Sequence, residues 1–145
     1  MKKEEINIQD FSHTIPIQVR YIDIDMQGHV NNATFLSYIE QARVIFFNTF
    51  LPDNDFKKNG LIIARTEINY YEPILLNEEI LCGTRIGQIG NKSFTFENII
   101  YTPKNNSIKC FAKSVMVCYD YELNCTKEVP TEWKEKFNFL KKQLI

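Results

Sequence analysis

Cysteine is scarce and poorly placed for a metal. Cys82, Cys110, Cys118 and Cys125 form no C-x-x-C pair, and only His13 and His29 could join them. A zinc site is therefore not expected. Charge is also close to balanced: 17 Lys plus Arg against 18 Asp plus Glu leave −1 at pH 7. Nothing in that balance draws a polyanion from a distance, so neither nucleic acid nor an anionic membrane is an expected partner. No window approaches the ~18 consecutive apolar residues of a membrane span. The opening stretch, MKKEEINIQDFSHT, lacks the apolar run of a signal peptide. No repeat, linker or low-complexity segment divides the chain. We therefore expect a soluble cytoplasmic protein with reduced thiols, folded as one domain over residues 1–145. A domain of this length buries roughly 68–70% of its unfolded surface without staples.

What the sequence does have is periodicity. In IPIQVRYI, residues 15–22, Ile15, Ile17, Val19 and Tyr21 alternate onto one face, the period of a half-buried strand. From 32 to 50, apolar residues at 35, 39, 42, 46 and 50 recur every three or four positions, and Pro52 follows as a stop. That spacing predicts a helix of about 28 Å. Leu36, Tyr38, Val44, Ile45 and Phe47 carry apolar surface to its other faces, so the helix should be enclosed.

The enclosing material follows in LIIARTEINYYEPI, EEILCGTRIGQIG, KSFTFENIIYT and SIKCFAKSVMVCYDYE, four strand-like runs separated by Gly, Pro and Asn turns. Their short gaps predict consecutive antiparallel neighbours. The tail after Pro130, with Trp133, Phe137 and Leu140, predicts a short helix acting as a lid or edge cover. The expected class is α+β: a long central helix wrapped by a curved five-stranded antiparallel sheet. Such a sheet has two open edges, and dimerisation through one of them is a natural remedy.

One stretch is richer than structure alone requires. DMQGHVNNATF, residues 25–35, crowds an acid, a glycine, a histidine and two asparagines into the turn before the helix. Asn31 or Asn32 can serve as N-cap, worth ~1 kcal/mol. Gly28 can supply a positive φ. Asp25 could be only an Asx-turn, His29 only a turn side chain, and Asp23 only a loop anion. The alternative uses the unpaired N–H groups at a helix mouth to hold a developing oxyanion, with the Asp25 carboxylate beside it as base or nucleophile.

The longer stretch VRYIDIDMQGHVNNATFLSYIEQAR resembles the N-terminal signature of hot-dog-fold acyl thioesterases. The branch is that of 4-hydroxybenzoyl-CoA thioesterase and the long-chain acyl-CoA thioesterases. The shared pattern is D-x-D-x-x-G-H-V-N-N-x-x-(Y/F)-x-x-(Y/F)-x-E-x-A-R, matched from Asp23 through Arg43. The resemblance continues to about residue 137. It implies a helix sheathed by an antiparallel sheet, and an active site at a dimer interface in a homodimer or homotetramer. It also implies hydrolysis of an acyl-CoA, or an acyl group on acyl carrier protein, without metal or organic cofactor.

The resemblance places the catalytic carboxylate on Asp25, with Asn32 and His29 as further catalytic residues. Asn31, Arg65 and Lys92 are the substrate-binding candidates, Arg65 and Lys92 for the CoA phosphates. Glu40 is the reserve acid, expected otherwise to pair with Arg43 one turn on. A dehydratase is disfavoured by the lack of a His-Phe-Pro type signature. A non-catalytic acyl-binding module is the alternative from another class. Phe46, Phe47, Phe50 and Phe56 are available to line an acyl tunnel or simply to form core.

Overall fold

The computed structural model describes residues 1–143. Strand β1 (His13–Ile17) leads through a single 3-10 turn (Tyr21–Asp23) to helix α1 (Asn32–Phe50). Strands β2 (Gly60–Tyr70), β3 (Ile80–Ile89), β4 (Ser93–Thr102) and β5 (Ser107–Asp120) follow, then a two-residue β6 (Cys125–Thr126) and helix α2 (Thr131–Lys142). The sheet is antiparallel and runs β1-β3-β4-β5-β2, with β6 added beside β5. It curls around α1 as a half-barrel, the α+β arrangement the sequence predicts, extended by that sixth short strand.

The expected neighbour order holds for the two tight hairpins, β3–β4 and β4–β5, and fails for β2. That strand lies at the far edge beside β5, and residues 71–79 carry the chain back across to β3. The cause is α1, which spans the concave face between β1 and β2. The strands on either side of it therefore land on opposite edges.

Two further expectations need correction and a third is narrowed. The first strand stops at Ile17, and Tyr21 is 84% exposed rather than inward-facing. A buried carboxylate interrupts the alternation: the Arg20 N–H donates to Asp23 Oδ2 at 3.0 Å and the Asp23 N–H donates to the Arg20 carbonyl. Helix α1 is not enclosed on every side. Phe35, Ile39, Ala42 and Phe46 are buried as their spacing requires, but Leu36 and Val44 are 40% and 54% exposed. The tail helix is the lid and not the edge cover, because Trp133, Phe137 and Leu140 are buried with Phe47, Phe94 and Phe96 in one aromatic cluster and its strand contacts fall chiefly on β3, inside the sheet. It closes one end of the half-barrel.

The core falls into three apolar clusters, one of which gathers Phe11, Ile99, Ile108 and Phe111, and the other two pack against α1. Of those two, one gathers around Phe35, Ile39 and Ala42, the other around Phe46, Phe47 and Trp133. Between them runs a polar row contributed by neighbouring strands: Thr84, Asn98, Ser114 and Thr66. Asn98 Nδ2 donates to Thr84 Oγ1 at 2.8 Å, and the Thr66 and Ser114 hydroxyls meet at 3.2 Å. Arg43 joins this row from α1 by donating from Nη1 to Ser114 Oγ at 3.3 Å. The expected Arg43 to Glu40 ion pair is thus absent among the described residues. Burial turns the guanidinium toward the sheet while Glu40 stays exposed.

Candidate active site

The turn between Asp23 and Asn31 is a miniature hairpin. Ile24 and Val30 form a bridge, the Asp25 N–H donates to the His29 carbonyl at 2.8 Å, and the Gly28 N–H donates to the Asp25 carbonyl at 3.1 Å. Closing so short a loop needs one left-handed residue, and Gly28 supplies it with φ +81°. The Val30 N–H donates to the Ile74 carbonyl at 2.9 Å, which fastens the loop to the segment after β2. Each bond narrows where the Asp25 side chain can point.

Asp25 Oδ1 accepts from the Gln27 N–H at 2.9 Å and from the His29 N–H at 3.3 Å. The Asx-turn reading is therefore correct as far as it goes, but it engages one oxygen only. Among the described residues Oδ2 has no donor. Asn31 is the N-cap: its Oδ1 accepts from the Ala33 N–H at 2.9 Å and its carbonyl accepts from the Thr34 N–H at 2.9 Å. With those two amides taken, the Asn32 N–H is left without an acceptor among the described residues. A free carboxylate oxygen and a free helix-mouth N–H belong to adjoining elements that open on one cleft.

Asp25, His29 and Asn32 line that cleft, of about 260 Å³, together with Phe35, Tyr70 and Pro73. Asn31 is occupied with capping and is not among the lining residues. Arg65 is exposed on β2 and ion-paired with Glu67, and it lies five strand positions from Tyr70, about 17 Å. Lys92 sits in the β3–β4 turn, where its carbonyl accepts from the Cys118 N–H at 2.9 Å. That turn lies level with the start of β2, roughly 26 Å from Tyr70 along the strand. Within one chain, then, the structure joins Asp25, His29 and Asn32 and leaves Arg65 and Lys92 apart from them.

The sequence reading gave no role to the opposite wall or the support beneath the loop. The wall is the NYYEP segment: the Tyr70 hydroxyl donates to the Asn32 carbonyl at 3.0 Å, and its ring stands edge-on to Phe35 at 5.1 Å. Tyrosines at a strand end followed by proline are a signal that could have been read. Glu72, on the same wall, is held by Lys3 and by the Ser107 hydroxyl, which pull its carboxyl down to about 2.

The support is Asp23, 3% exposed. It accepts from the Tyr38 hydroxyl at 2.6 Å and from Arg20 Nη2 at 2.8 Å. Burial alone would raise its pKa, but these bonds and the Arg20 amide outweigh it, and the carboxyl titrates below its ordinary range. Burial, reinforced by the same contact, drives the Tyr38 hydroxyl pKa upward. Asp23 thus pins this loop to α1, a tie that no spacing in the sequence reveals.

Because the Asp23 pKa is depressed in the folded state, its stabilisation is complete above the unfolded carboxylate pKa and is lost as pH falls through the folded one. Tyr38→Phe is expected to destabilise by about 1.5–3 kcal/mol at pH 7, the range for a hydrogen bond to a charged group. Urea titrations should show that difference shrinking below about pH 4. A difference unchanged down to pH 2 would mean that the Tyr38 hydroxyl does not bond an ionised Asp23.

The comparisons with known proteins bear on the family and the fold. The Thioesterase-like superfamily model matches residues 19–137. A thioesterase from Thermus thermophilus, solved with coenzyme A and zinc, is 31% identical, superposes with a TM-score of 0.78, and is matched over 89% of this chain and 93% of its own. The Escherichia coli long-chain acyl-CoA thioesterase FadM is 24% identical over 125 residues, 83% of this chain and 92% of FadM. The Arabidopsis thaliana chloroplast acyl-acyl carrier protein thioesterase ATL2 is 27% identical over 128 residues, 86% of this chain and 68% of ATL2. With the hot-dog half-barrel and a match spanning most of its length, the chain belongs to the Thioesterase-like superfamily.

Proposed function

We propose that the protein is an acyl-CoA thioesterase, releasing a free acid and CoA, and that it works as a homodimer. The observation that carries this reading is the pairing of the untied Asp25 Oδ2 with the unsatisfied Asn32 N–H on one cleft. Asp25 takes a proton from water as that water adds to the thioester carbonyl. The oxyanion that forms is held by the Asn32 N–H and the positive end of α1. Collapse expels the CoA thiolate, which takes up a proton. His29 and the Asn32 amide border the attacking water, and no step calls on a metal or an organic cofactor. Release of thiol from a panel of acyl-CoAs tests the reaction. The same acyl group on CoA and on acyl carrier protein tests the carrier, and absence of thiol release from both would refute the reading.

The two sheet edges support the dimer. β1 is five residues long and carries Pro16, which protects its free side, whereas β2 has eleven residues, no proline, and exposed Ile62 and Ile63. A two-fold axis near the middle of β2 pairs the strand with its own copy, antiparallel. It also carries the start of the second copy's β2, and the Lys92 turn level with it, toward this chain's cleft. That supplies the phosphate-binding cations which one chain leaves about 26 Å away.

Sedimentation is expected to give twice the 17.1 kDa chain mass. Ala64 sits at a bulge and has no register partner on β5, so Ala64→Pro places a proline on the free edge where the ladder is already irregular. We expect it to weaken dimerisation at least about tenfold, read by sedimentation, with the far-ultraviolet circular dichroism unchanged. A monomeric wild-type protein would remove this part of the reading.

A further inference from the structure

The exposed stripe of α1 has a use that enclosure would have denied it. Asn32, Leu36, Glu40, Val44 and Asn48 recur once per turn and are all exposed. Beside them the inward positions of β2 run from Tyr70 at the cleft through Ile68 and Thr66 to Ile63 and Leu61. The two rows meet at both ends, in the cleft and in a second cavity of about 450 Å³, and bound an α1–β2 groove between them. The cavity walls are Val44, Phe47, Phe56, Leu61, Ile63 and Met116. Arg43 also borders it, but its guanidinium bonds Ser114 on the sheet side. Glu40 and Asn48 stand at the exposed rim.

Distance along the helix sets what can reach this cavity. Glu40 and Val44 lie eight and twelve residues beyond Asn32, about 12 and 18 Å at 1.5 Å per residue. An extended hydrocarbon chain advances about 1.25 Å per carbon, the projection of a ~1.5 Å C–C bond. A carbonyl held at the Asn32 N–H thus places its tenth carbon at the cavity's near end and its fourteenth beside Val44. A benzoyl or butyryl group ends well short and leaves the apolar walls against water.

Resting on the thioesterase reading above, we propose that the acyl group is an unbranched aliphatic chain of about ten to sixteen carbons. Its tail lies along the α1–β2 groove and ends in the cavity between Val44, Phe47 and Ile63. Val44→Trp fills this cavity from an exposed helix position, where the larger ring has room to be accommodated. The panel is acetyl-, butyryl-, octanoyl-, dodecanoyl-, tetradecanoyl- and benzoyl-CoA, read as kcat/KM on the wild type and the variant, with equilibrium binding of tetradecanoate measured alongside.

The expected wild-type profile rises about three- to fourfold per methylene once the chain enters the cavity. Val44→Trp should lower the ratio of tetradecanoyl to octanoyl turnover at least tenfold and weaken tetradecanoate binding by a similar factor. Best activity on acetyl-, butyryl- or benzoyl-CoA, with a ratio indifferent to Val44→Trp, overturns the chain-length proposal and leaves the thioesterase reading standing. Equal loss on all chains with dissociation of the dimer also overturns it, because side chains of the second copy would then fill the cavity. If no acyl-CoA is hydrolysed, the thioesterase reading falls and tetradecanoate binding decides the cavity alone. Binding that Val44→Trp abolishes supports the proposed occupant, and no binding overturns it.

Discussion

Asp25→Asn is expected to lower turnover of every hydrolysed acyl-CoA by about 10²–10⁴-fold, the contribution typical of a positioned acid or base. The substitution isolates charge from structure. Asparagine keeps an Oδ1 that can accept from the Gln27 and His29 N–H groups, so the turn and the N-terminus of α1 stay in place. What disappears is the second, untied oxygen with its capacity to take a proton. The thermal transition should move by less than about 2 °C, the change expected at a position whose structural bonds survive.

Asn32→Ala is the informative companion. It keeps the backbone N–H proposed to hold the oxyanion and removes only the side-chain amide, so its loss should be the smaller of the two. Wild-type turnover by Asp25→Asn would refute the assignment. A larger loss in Asn32→Ala than in Asp25→Asn would move the chemistry from the backbone to the side-chain amide.

The fold and the loop were legible in the sequence for different reasons. Helix α1 was readable to the residue because its buried row, Phe35, Ile39, Ala42 and Phe46, obeys the helical period, and an asparagine stands at its cap. The turn was readable because a positive φ calls for glycine, and Gly28 supplies it. Strand order was not readable. Which edge receives β2 depends on α1 filling the concave face, a property of the assembled layers and not of any local window.

The cleft divided in the same way. Asp25, His29 and Asn32 are close in sequence and close in space, so the motif carried them together. Tyr70 and Asp23 take part through contacts 38 and 15 residues distant, to Asn32 and Tyr38, which no spacing rule encodes. Full enclosure of α1 was the most instructive failure. Apolar residues all round a helix do imply burial, but a single chain does not supply all of it here. Leu36 and Val44 are the surface left over.

The tail helix shows how much of the stability lies far from the chemistry. Trp133→Ala is expected to destabilise the protein by about 3–5 kcal/mol, the range for removing a large buried aromatic. The Trp133 ring stands 5.1 Å from Phe47 and 6.2 Å from both Phe94 and Phe137, and it is 1% exposed. The rings around it are locked into one another. Phe94 and Phe137 lie 4.9 Å apart and Phe46 meets Phe96 at 5.3 Å, so collapse into the vacated space is restricted and the cavity term stays large.

For a chain of this size the loss corresponds to about 10–20 °C in Tm, measured at fixed protein concentration so that dimerisation does not distort the comparison. Turnover of the folded fraction at 20 °C should remain close to wild type on short acyl chains, because Asp25 and Asn32 adjoin the cluster of Val30, Phe35 and Ile39, across the polar row of Thr84, Asn98 and Ser114. A shift under about 3 °C would show that α2 does not close the barrel end. A collapse of short-chain turnover without loss of Tm would show that the two clusters are not energetically separate.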